Sequence, residues 1–550
     1  MMKRNWLKRA VALLCTGTIV CGLLAGCGKG GSGKEIVDNT VEDTKNLKIM
    51  VFAKGYGTKW VEALAEAFEK KHEGVTVDIN LANSAEVMKA DLKNYEYCDT
   101  DLYFDIATGS GHSLIAEMKK SYDGKQAMRD LTYLYDSQIP GEEVTLGEKM
   151  NDSLRMACIS DGRETEDEAD DTFYYLPYVT AAIGLYYNET VIDNALGKGN
   201  WEVPKTSDEL IALCEQLKAK GCSFLLPGGL DQWASSLYLA WWAQYEGMEN
   251  FLKFFDGIGY DTVKNREATN SNLIFNQPGR LASSIASYDV LSYESGYTLK
   301  NSIEINVNNL NEYQTRFTLA KNNYAFYPCG DWLMQELENN STIESDCVIK
   351  MMKTPVISSI IDSTNSYSSD KAKRLPNINS DEVLSQVIDY VDGVGQLPSG
   401  VTEAEVEIIR EARNISGSMA TNQIAYAPSF SNAKTLADEF LLFMASDEGI
   451  QIFKKNCNGG FAPYTYEYSN LNVTEQSVYE ATKNAIYVDD FYYNPLFYSA
   501  GVKALTAGTA DTLDGMFCKP NGLSGEEIND SMIKAFEGKK WDNYLSKLSN

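Results

Sequence analysis

An α/β fold of more than one domain is what this sequence predicts, and three observations predict it. From residue 47 onward, short apolar strands alternate with an amphipathic helix, the pattern of a sheet with helices on its faces. The 550 residues exceed what a single hydrophobic core organises. Hydrophobic residues make up 44% and aromatic residues 11% of the chain, which suits a packed body rather than a disordered one.

The N-terminus carries an address. Lys3, Arg4, Lys8 and Arg9 precede an apolar run over residues 10–25. That run is too short and too interrupted by glycine for a stable membrane span, but it suits the core of a secretory signal. It ends in Leu24-Ala25-Gly26-Cys27, which resembles a bacterial lipobox. Residues 1–26 are therefore expected to be removed, Cys15 and Cys21 with them, and Cys27 to carry a diacylglyceryl anchor. Two acyl chains hold far more durably than one, since each buried methylene adds about 0.8 kcal/mol. Residues 28–46 open with Gly28-Lys29-Gly30-Gly31-Ser32-Gly33 and continue in charged and polar residues, a composition too poor in apolar surface to offset its ordering entropy. They read as a tether.

Beyond the tether the periodicity changes. Residues 47–53 form a short, nearly continuous apolar strand. Val61, Leu64, Ala65 and Phe68 then recur at i, i+3, i+4 and i+7, one face of a helix that Gly74 follows. Val75, Val77, Ile79 and Leu81 alternate with polar residues, as a half-buried strand does. A further strand over residues 102–107 runs into Thr108-Gly109-Ser110-Gly111. Ligands of such sheets gather at the carboxyl ends of strands. The loops Lys54-Gly55-Tyr56 and Gly109-Ser110-Gly111-His112 therefore offer Lys54, Tyr56, Ser110 and His112 as candidate binding residues.

Charge and motif content narrow the function. The net charge of −28 falls to −32 without the four N-terminal cations, and such a surface repels nucleic acid and anionic lipid headgroups. After Cys27 come Cys98, Cys158, Cys214, Cys222, Cys329, Cys347, Cys457 and Cys518, with no C-x-x-C. Export permits disulfides, but spacing does not decide pairing, and scattered buried thiols are the simpler expectation. His72 and His112 are the only histidines. There is no H-E-x-x-H, no G-x-S-x-G and no Walker A loop, so zinc hydrolysis, Ser-His-Asp catalysis and nucleotide hydrolysis lack their usual residues.

Four blocks later in the chain carry a family resemblance. Tyr174-Tyr175-Leu176-Pro177-Tyr178 leads to Ile183-Gly184-Leu185-Tyr186-Tyr187-Asn188. Trp201-Glu202-Val203-Pro204-Lys205-Thr206 then precedes a helix from Ser207, with Thr206 and Glu209 at capping-box spacing and Leu210, Leu213, Cys214 and Leu217 as its apolar stripe. A third block runs from Phe317 through Tyr324-Ala325-Phe326 to Gly330-Asp331-Trp332. The fourth joins Ser431-Asn432-Ala433-Lys434 to a helix ending near Ser446-Asp447-Glu448, ahead of Gly459, Gly460 and Pro463. In this order, spread over residues 47–468, they resemble the family 1 extracellular solute-binding proteins, which include the maltose-binding type. Two departures stand out. Asn322 and Asn323 replace the usual small residues, and residues 355–418 form a longer stretch than the family has at that point. It holds a Ser-rich loop over residues 358–370 and two expected helices, over 381–392 and 403–413. An elaborated lobe is the simpler account of it, and a partner-docking surface the sharper one.

The resemblance implies a two-lobed α/β architecture of the type II periplasmic-binding-protein-like fold, with a helical insertion in one lobe. One lobe is expected at about 47–178 plus 353–456, the other at about 179–352 plus 457–550. A solute bound in the cleft between them draws the lobes together by a hinge motion, and closure signals occupancy to an ABC transporter permease. The family fits a monomer on the outer face of the cytoplasmic membrane, with no catalytic residues, no metal and no cofactor. A saccharide is the expected solute, because flat aromatic rings cover its C–H faces while polar side chains satisfy its hydroxyls. Trp332 matches the family's "G-x-W" tryptophan that stacks on ligand in sugar-binding members. Asp331 beside it is a candidate hydroxyl acceptor. Trp233, after Gly228-Gly229-Leu230-Asp231-Gln232, resembles a position near the cleft, and at least one of Trp241 and Trp242 is expected in the core. Tyr178 follows the inter-lobe Pro177 and is placed to line the hinge side. Phe497 and Tyr498, with Tyr492 and Tyr493, form a late aromatic cluster where the maltose-binding type has another stacking residue.

Two other readings remain open at the level of sequence. The same fold can bind ferric iron through adjacent tyrosines, for which Tyr492-Tyr493 is available, whereas Tyr186-Tyr187 sits in an expected structural strand. A secreted carbohydrate-active enzyme needs two carboxylates flanking a bond, and with 77 acidic residues such a pair can always be nominated. A cell-surface adhesin predicts repeats and a wall-sorting tail, and the sequence has neither.

Overall fold

The computed structural model describes residues 42–52, 55–93, 98–105, 111, 114, 115, 118, 127–159, 172–226, 232–255, 277–298, 310–339, 346–365, 371–489 and 523–534. All of them fall within one compact unit, Ile36–Asn550. Two sheets organise it.

The first sheet starts where the periodicity predicts. Strand β1 (Asn46–Phe52) pairs in parallel with β2 (Thr76–Ala82), Asn46 opposite Thr76 through Phe52 opposite Ala82. Helix α1 (Lys59–Lys71) connects them and buries Trp60, Val61, Leu64, Ala65 and Phe68. Gly74, with φ +83, supplies the left-handed turn into β2. β2 is an edge strand and leaves Leu81 59% exposed. Strand β3 (Leu102–Phe104) lies parallel to β1 on its other side. Two short strands complete the sheet: β4 (Leu176–Pro177) and β10 (Ile424–Tyr426), the latter antiparallel to both β3 and β4. The order is β2-β1-β3-β10-β4.

The second sheet is built on β5 (Ala182–Asn188), buried at every position. Antiparallel to it run β7 (Tyr324–Gly330), β8 (Ile349–Met352) and β9 (Ile415–Ser418). β6 (Ser223–Phe224) lies parallel to β7, and β11 (Ile486–Asp489) parallel to β9. Asn322 and Asn323, the residues that depart from the family pattern, make the turn into β7. Asn323 adopts the left-handed conformation (φ 56), which asparagine tolerates better than most residues, and the Asn322 amide donates to the Arg316 carbonyl at 2.9 Å.

Helices α2 (Ser207–Lys218) and α3 (Gln232–Glu246) cover one face of this sheet. Trp241 and Trp242 are both fully buried there, their indole N–H groups donating to the Pro355 carbonyl (2.9 Å) and the Gln277 side chain (2.6 Å). The two helices expected in the long stretch form as α4 (Asp381–Val391) and α5 (Glu403–Asn414). Their partner differs from expectation. The sequence reading places 353–456 with the first lobe, whereas Leu384, Val387, Ile388, Val406, Ile409 and Ala412 join the hydrophobic cluster of the second sheet. The chain returns to the first sheet only after Ser418. The physical reason is the apolar face of α2 and α3, which these helices cover. Helices α6 (Lys434–Ala445) and α7 (Asp447–Asn456) then pack on the first sheet's cluster with α1.

All seven described cysteines are free thiols. Among the described residues no helix is long and apolar enough to cross a membrane.

Candidate functional site

Strand directions decide where the functional residues converge. β1, β3 and β4 run one way and β10 the other, so the loop after β1, Asp105, Tyr178 and Gln423 share one edge of the first sheet. In the second sheet the start of β5 lies beside the ends of β7 and β9, Ile183 opposite Gly330 and Ala182 opposite Ser418. The chain passes between these edges along segments that hydrogen-bond to one another. Tyr178 N–H donates to the Gln423 carbonyl (3.1 Å), Thr180 N–H to Phe461 (2.8 Å), and Met419 N–H to Ala181 (2.9 Å). Ala181 (φ 43) and Asp105 (φ 73) hold left-handed backbone at this junction, a conformation that costs a non-glycine residue on the order of 1–3 kcal/mol.

Tyr178 is fixed inside the junction. Its ring stacks on Trp60 at 4.6 Å and 16° and meets Tyr56 edge-on at 6.3 Å. Its hydroxyl lies 3.0 Å from Asp105 Oδ2 and 3.1 Å from Gln423 Oε1. Burial, then the neighbouring Asp105, pushes its phenol well above the usual range.

Asp331 directly follows β7 and is fully buried. Its amide donates to the Ala182 carbonyl (2.9 Å). The Tyr56 hydroxyl donates to Oδ1, while Thr180 Oγ1 (3.1 Å) and the Ala182 amide (3.3 Å) donate to Oδ2. Desolvation raises its carboxyl to about 7, although those three donors pull the other way. Both oxygens already accept from the protein, and no water-facing surface remains.

Trp332 follows, only 7% exposed. A side chain at Gly330 would strike its six-membered ring at 2.0 Å, and one at Gly55 would meet its Cβ and Cγ at 3.0 Å. The indole thus lies over its own glycine and against a glycine from the first sheet's edge. Tyr56 (6.0 Å) and Trp233 (5.7 Å) close on it edge-on, and Trp233 in turn meets Tyr327 at 6.3 Å. Protein, not solvent, covers the indole in this arrangement.

Five of the expected site residues, Tyr56, Tyr178, Trp233, Asp331 and Trp332, therefore meet at one junction. Lys54, Ser110, His112, Phe497 and Tyr498 lie outside the described residues, as do Cys27, Tyr492 and Tyr493. Sequence reasoning missed Trp60, Thr180, Asp105 and Gln423. Asp105 lay inside the strand expected over residues 102–107, and only the observed end of β3 at Phe104 puts it at a strand end. The other three become neighbours only through the crossing segments. Tyr186 and Tyr187 cannot act as an iron-binding pair, because adjacent strand residues point to opposite faces. The Tyr186 hydroxyl is buried against the Gly330 carbonyl (3.4 Å), and the Tyr187 ring meets Trp201 at 5.8 Å. Among the described residues no group of three His, Cys, Asp or Glu side chains could hold a metal ion.

Known proteins share this architecture. Residues 54–301 match the family of bacterial extracellular solute-binding proteins. No curated protein matches the sequence. RafE from Streptococcus pneumoniae in its apo form aligns over 90% of this chain and 99% of its own, at 14% identity and a TM-score of 0.53. RafE in complex with raffinose aligns over 90% and 100%, at 16% identity and 0.52. The GacH receptor of Streptomyces glaucescens, solved unliganded and with acarbose, aligns over 90% and 98%, at 12% identity and 0.51. At such identities these structures speak for the fold alone, and the fold is the two-lobed α/β arrangement of solute-binding proteins. The match to the bacterial extracellular solute-binding proteins over residues 54–301 and a fold shared across 90% of the chain thus make this chain similar to that family in both sequence and architecture.

Proposed function

We propose that the chain is a lipid-anchored receptor that captures a carbohydrate outside the cell and presents it to an ABC importer. The observation that carries this reading is the aromatic junction between the carboxyl edges of the two sheets, where Trp332, Trp233 and Tyr56 from separate elements come together. Indole and phenol faces are the chemistry that suits the C–H face of a sugar ring in a site closed to water. In this reading the lobes part along the crossing segments, the ring face of Trp332 is uncovered, and a saccharide settles on it before the lobes close again with Gly55 against the indole's Cβ and Cγ. Lys54, Ser110, His112, Phe497 and Tyr498 complete the solute-facing set. Binding, with no bond made or broken, is the whole of the chemistry. Raffinose and acarbose, carried by RafE and GacH, support an oligosaccharide as the solute.

A thermal-shift screen of the protein against mono- and oligosaccharides tests the reading. A ligand at a hundredfold excess over its Kd should add about 2.7 kcal/mol of stability. Trp332→Ala should lose that gain, on top of the several kcal/mol that removing a buried aromatic costs the free protein. A full ligand shift in Trp332→Ala would move the site elsewhere, and no shift with any saccharide in the wild type would end the carbohydrate assignment. The anchor is tested separately. Cys27→Ser should abolish incorporation of labelled palmitate and release the protein from the membrane fraction, and continued labelling would refute lipidation at Cys27.

A further inference from the structure

Three parts of the chain meet at one buried carboxylate. Asp331 belongs to the second sheet, Thr180 and Ala182 to the first crossing segment and the start of β5, and Tyr56 to the loop between β1 and α1. Of the three donors, only Tyr56 reaches Asp331 from the first body. A hinge motion about the crossing segments leaves the Thr180 and Ala182 contacts within one rigid neighbourhood, so that of the three bonds to this carboxylate only the one from Tyr56 must break.

We propose that the Tyr56–Asp331 bond is a latch between the two bodies that sets how readily the protein stays shut, with Asp331 acting as a positioning residue rather than a solute ligand. The proposal rests on the reading of the chain as a hinged solute receptor, and it adds a condition under which the hinge opens. Parting the bodies withdraws Tyr56 and admits water to a carboxylate that is otherwise sealed. Water restores an ordinary carboxylate affinity for protons, whereas burial in the shut form raises it. The shut form thus binds a proton more tightly than the open one. By linkage, protons favour closing, and opening gains as pH rises from the ordinary carboxylate range through about 7.

Glu336, one turn beyond Trp332, is likewise raised to about 7 by burial, against the hydrogen bond from Gln314, and the Asp331→Asn variant separates the two. The phenols and thiols that face Asp331 itself are pushed away from neutrality. Tyr56 and Tyr178 face it from the first body, Tyr186 and Cys329 from β5 and β7, and Tyr487 from β11. Burial pushes all of these phenols and thiols further above neutrality. Cys457, just after α7, is likewise pushed up to about 12. Lys454 on α7 is the facing cation, and Glu475 pairs with it at 2.5 Å.

Spin labels test the latch in the whole, solute-free protein, held in detergent micelles. Genetically encoded keto residues in place of Leu81 on β2 and Val394 beyond α4, both exposed, carry the labels without touching the native thiols. The wild type should show a long-distance population that grows several-fold between pH 5.5 and 8.5. Asp331→Asn should show one distribution at every pH, and Tyr56→Phe should show the long population already at pH 5.5. A wild-type distribution indifferent to pH, an Asn variant that keeps the pH response, or a Phe variant unchanged at pH 5.5 would each overturn the latch. The Asn variant decides alone if the Phe variant does not fold. Because no solute is added, a failed saccharide screen would sink the carbohydrate assignment and leave this result standing.

Discussion

Gly55 has no side chain, and Trp332 occupies the space one would take. Contact at 3.0 Å to the indole's Cβ and Cγ is tighter than ordinary packing allows, and the two residues come from opposite sheets. A valine at 55 must therefore push the bodies apart or turn the indole, and Gly330 beneath the ring leaves it little freedom to turn. Gly55→Val should weaken solute affinity at least tenfold, with a cost of only about 1–3 kcal/mol to the stability of the free protein. Isothermal titration with whichever saccharide the thermal screen finds, beside urea unfolding, separates the two effects. Unchanged affinity would show that closure does not bring Gly55 against Trp332. Tyr56, Tyr178, Trp233 and Trp332 were legible in the sequence because each sits in a motif or at the end of an element, whereas Trp60, inside α1, carried no such signal. The glycine's role was not, since it depends on what lies across the junction.

The longer elements announced themselves, and the short ones did not. The stripe Val61, Leu64, Ala65 and Phe68 predicted α1, and all four side chains are buried. Two- and three-residue strands such as β4 and β10 offer no period to read, and their pairing joins positions some 250 residues apart, which only the assembled sheet can specify. Capping shows a finer limit. Thr206 accepts from the Glu209 amide at 3.2 Å, as the spacing predicted. The Glu209 carboxylate, however, reaches the Lys205 amide (2.7 Å) and the Ser385 hydroxyl on α4 (2.6 Å), so it ties two helices together instead of closing a box. The full reciprocal box occurs at α5, between Thr402 and Glu405. There burial works against the Glu405 charge, yet hydrogen bonds from Asn377 and Thr402 hold its carboxyl below the usual range. Thr402→Ala removes one of these donors and the helix cap together. It should cost about 1 kcal/mol, read as a lower urea midpoint with an unchanged slope, and a neutral result would show that Asn377 and the remaining backbone amide of residue 402 hold the helix start without the hydroxyl.

At the scale of the molecule, the stretch over residues 355–418 shows why a motif order can be right while a lobe boundary is wrong. The family order fixes the sequence of blocks but not which core an inserted pair of helices will cover. That choice is made by apolar faces. Leu384, Val387 and Ile388 on α4, and Val406, Ile409 and Ala412 on α5, share one hydrophobic cluster with Leu213 of α2 and Trp241 of α3. Thr206 and Asp381 bond at 2.9 Å, and Ser207 and Ser358 at 3.1 Å, along the same seam. The first sheet's cluster includes none of the 355–418 residues. The two bodies otherwise meet at the crossing segments, the aromatic junction and a few polar contacts, such as Lys454 with Glu475 and the Asn458 amide with the Gln335 side chain (2.8 Å). Their apolar clusters stay separate, so a defect in one core should stay in that core until the whole protein unfolds. Leu384→Ala, a fully buried truncation costing about 2–5 kcal/mol, should speed amide hydrogen exchange in α4, α5, β5 and β7 together. β1 and β3 should keep wild-type protection. Exchange that accelerates only within α4 and α5 would make the pair a surface appendage, and acceleration in β1 and β3 alongside β5 would mean the two cores open as one.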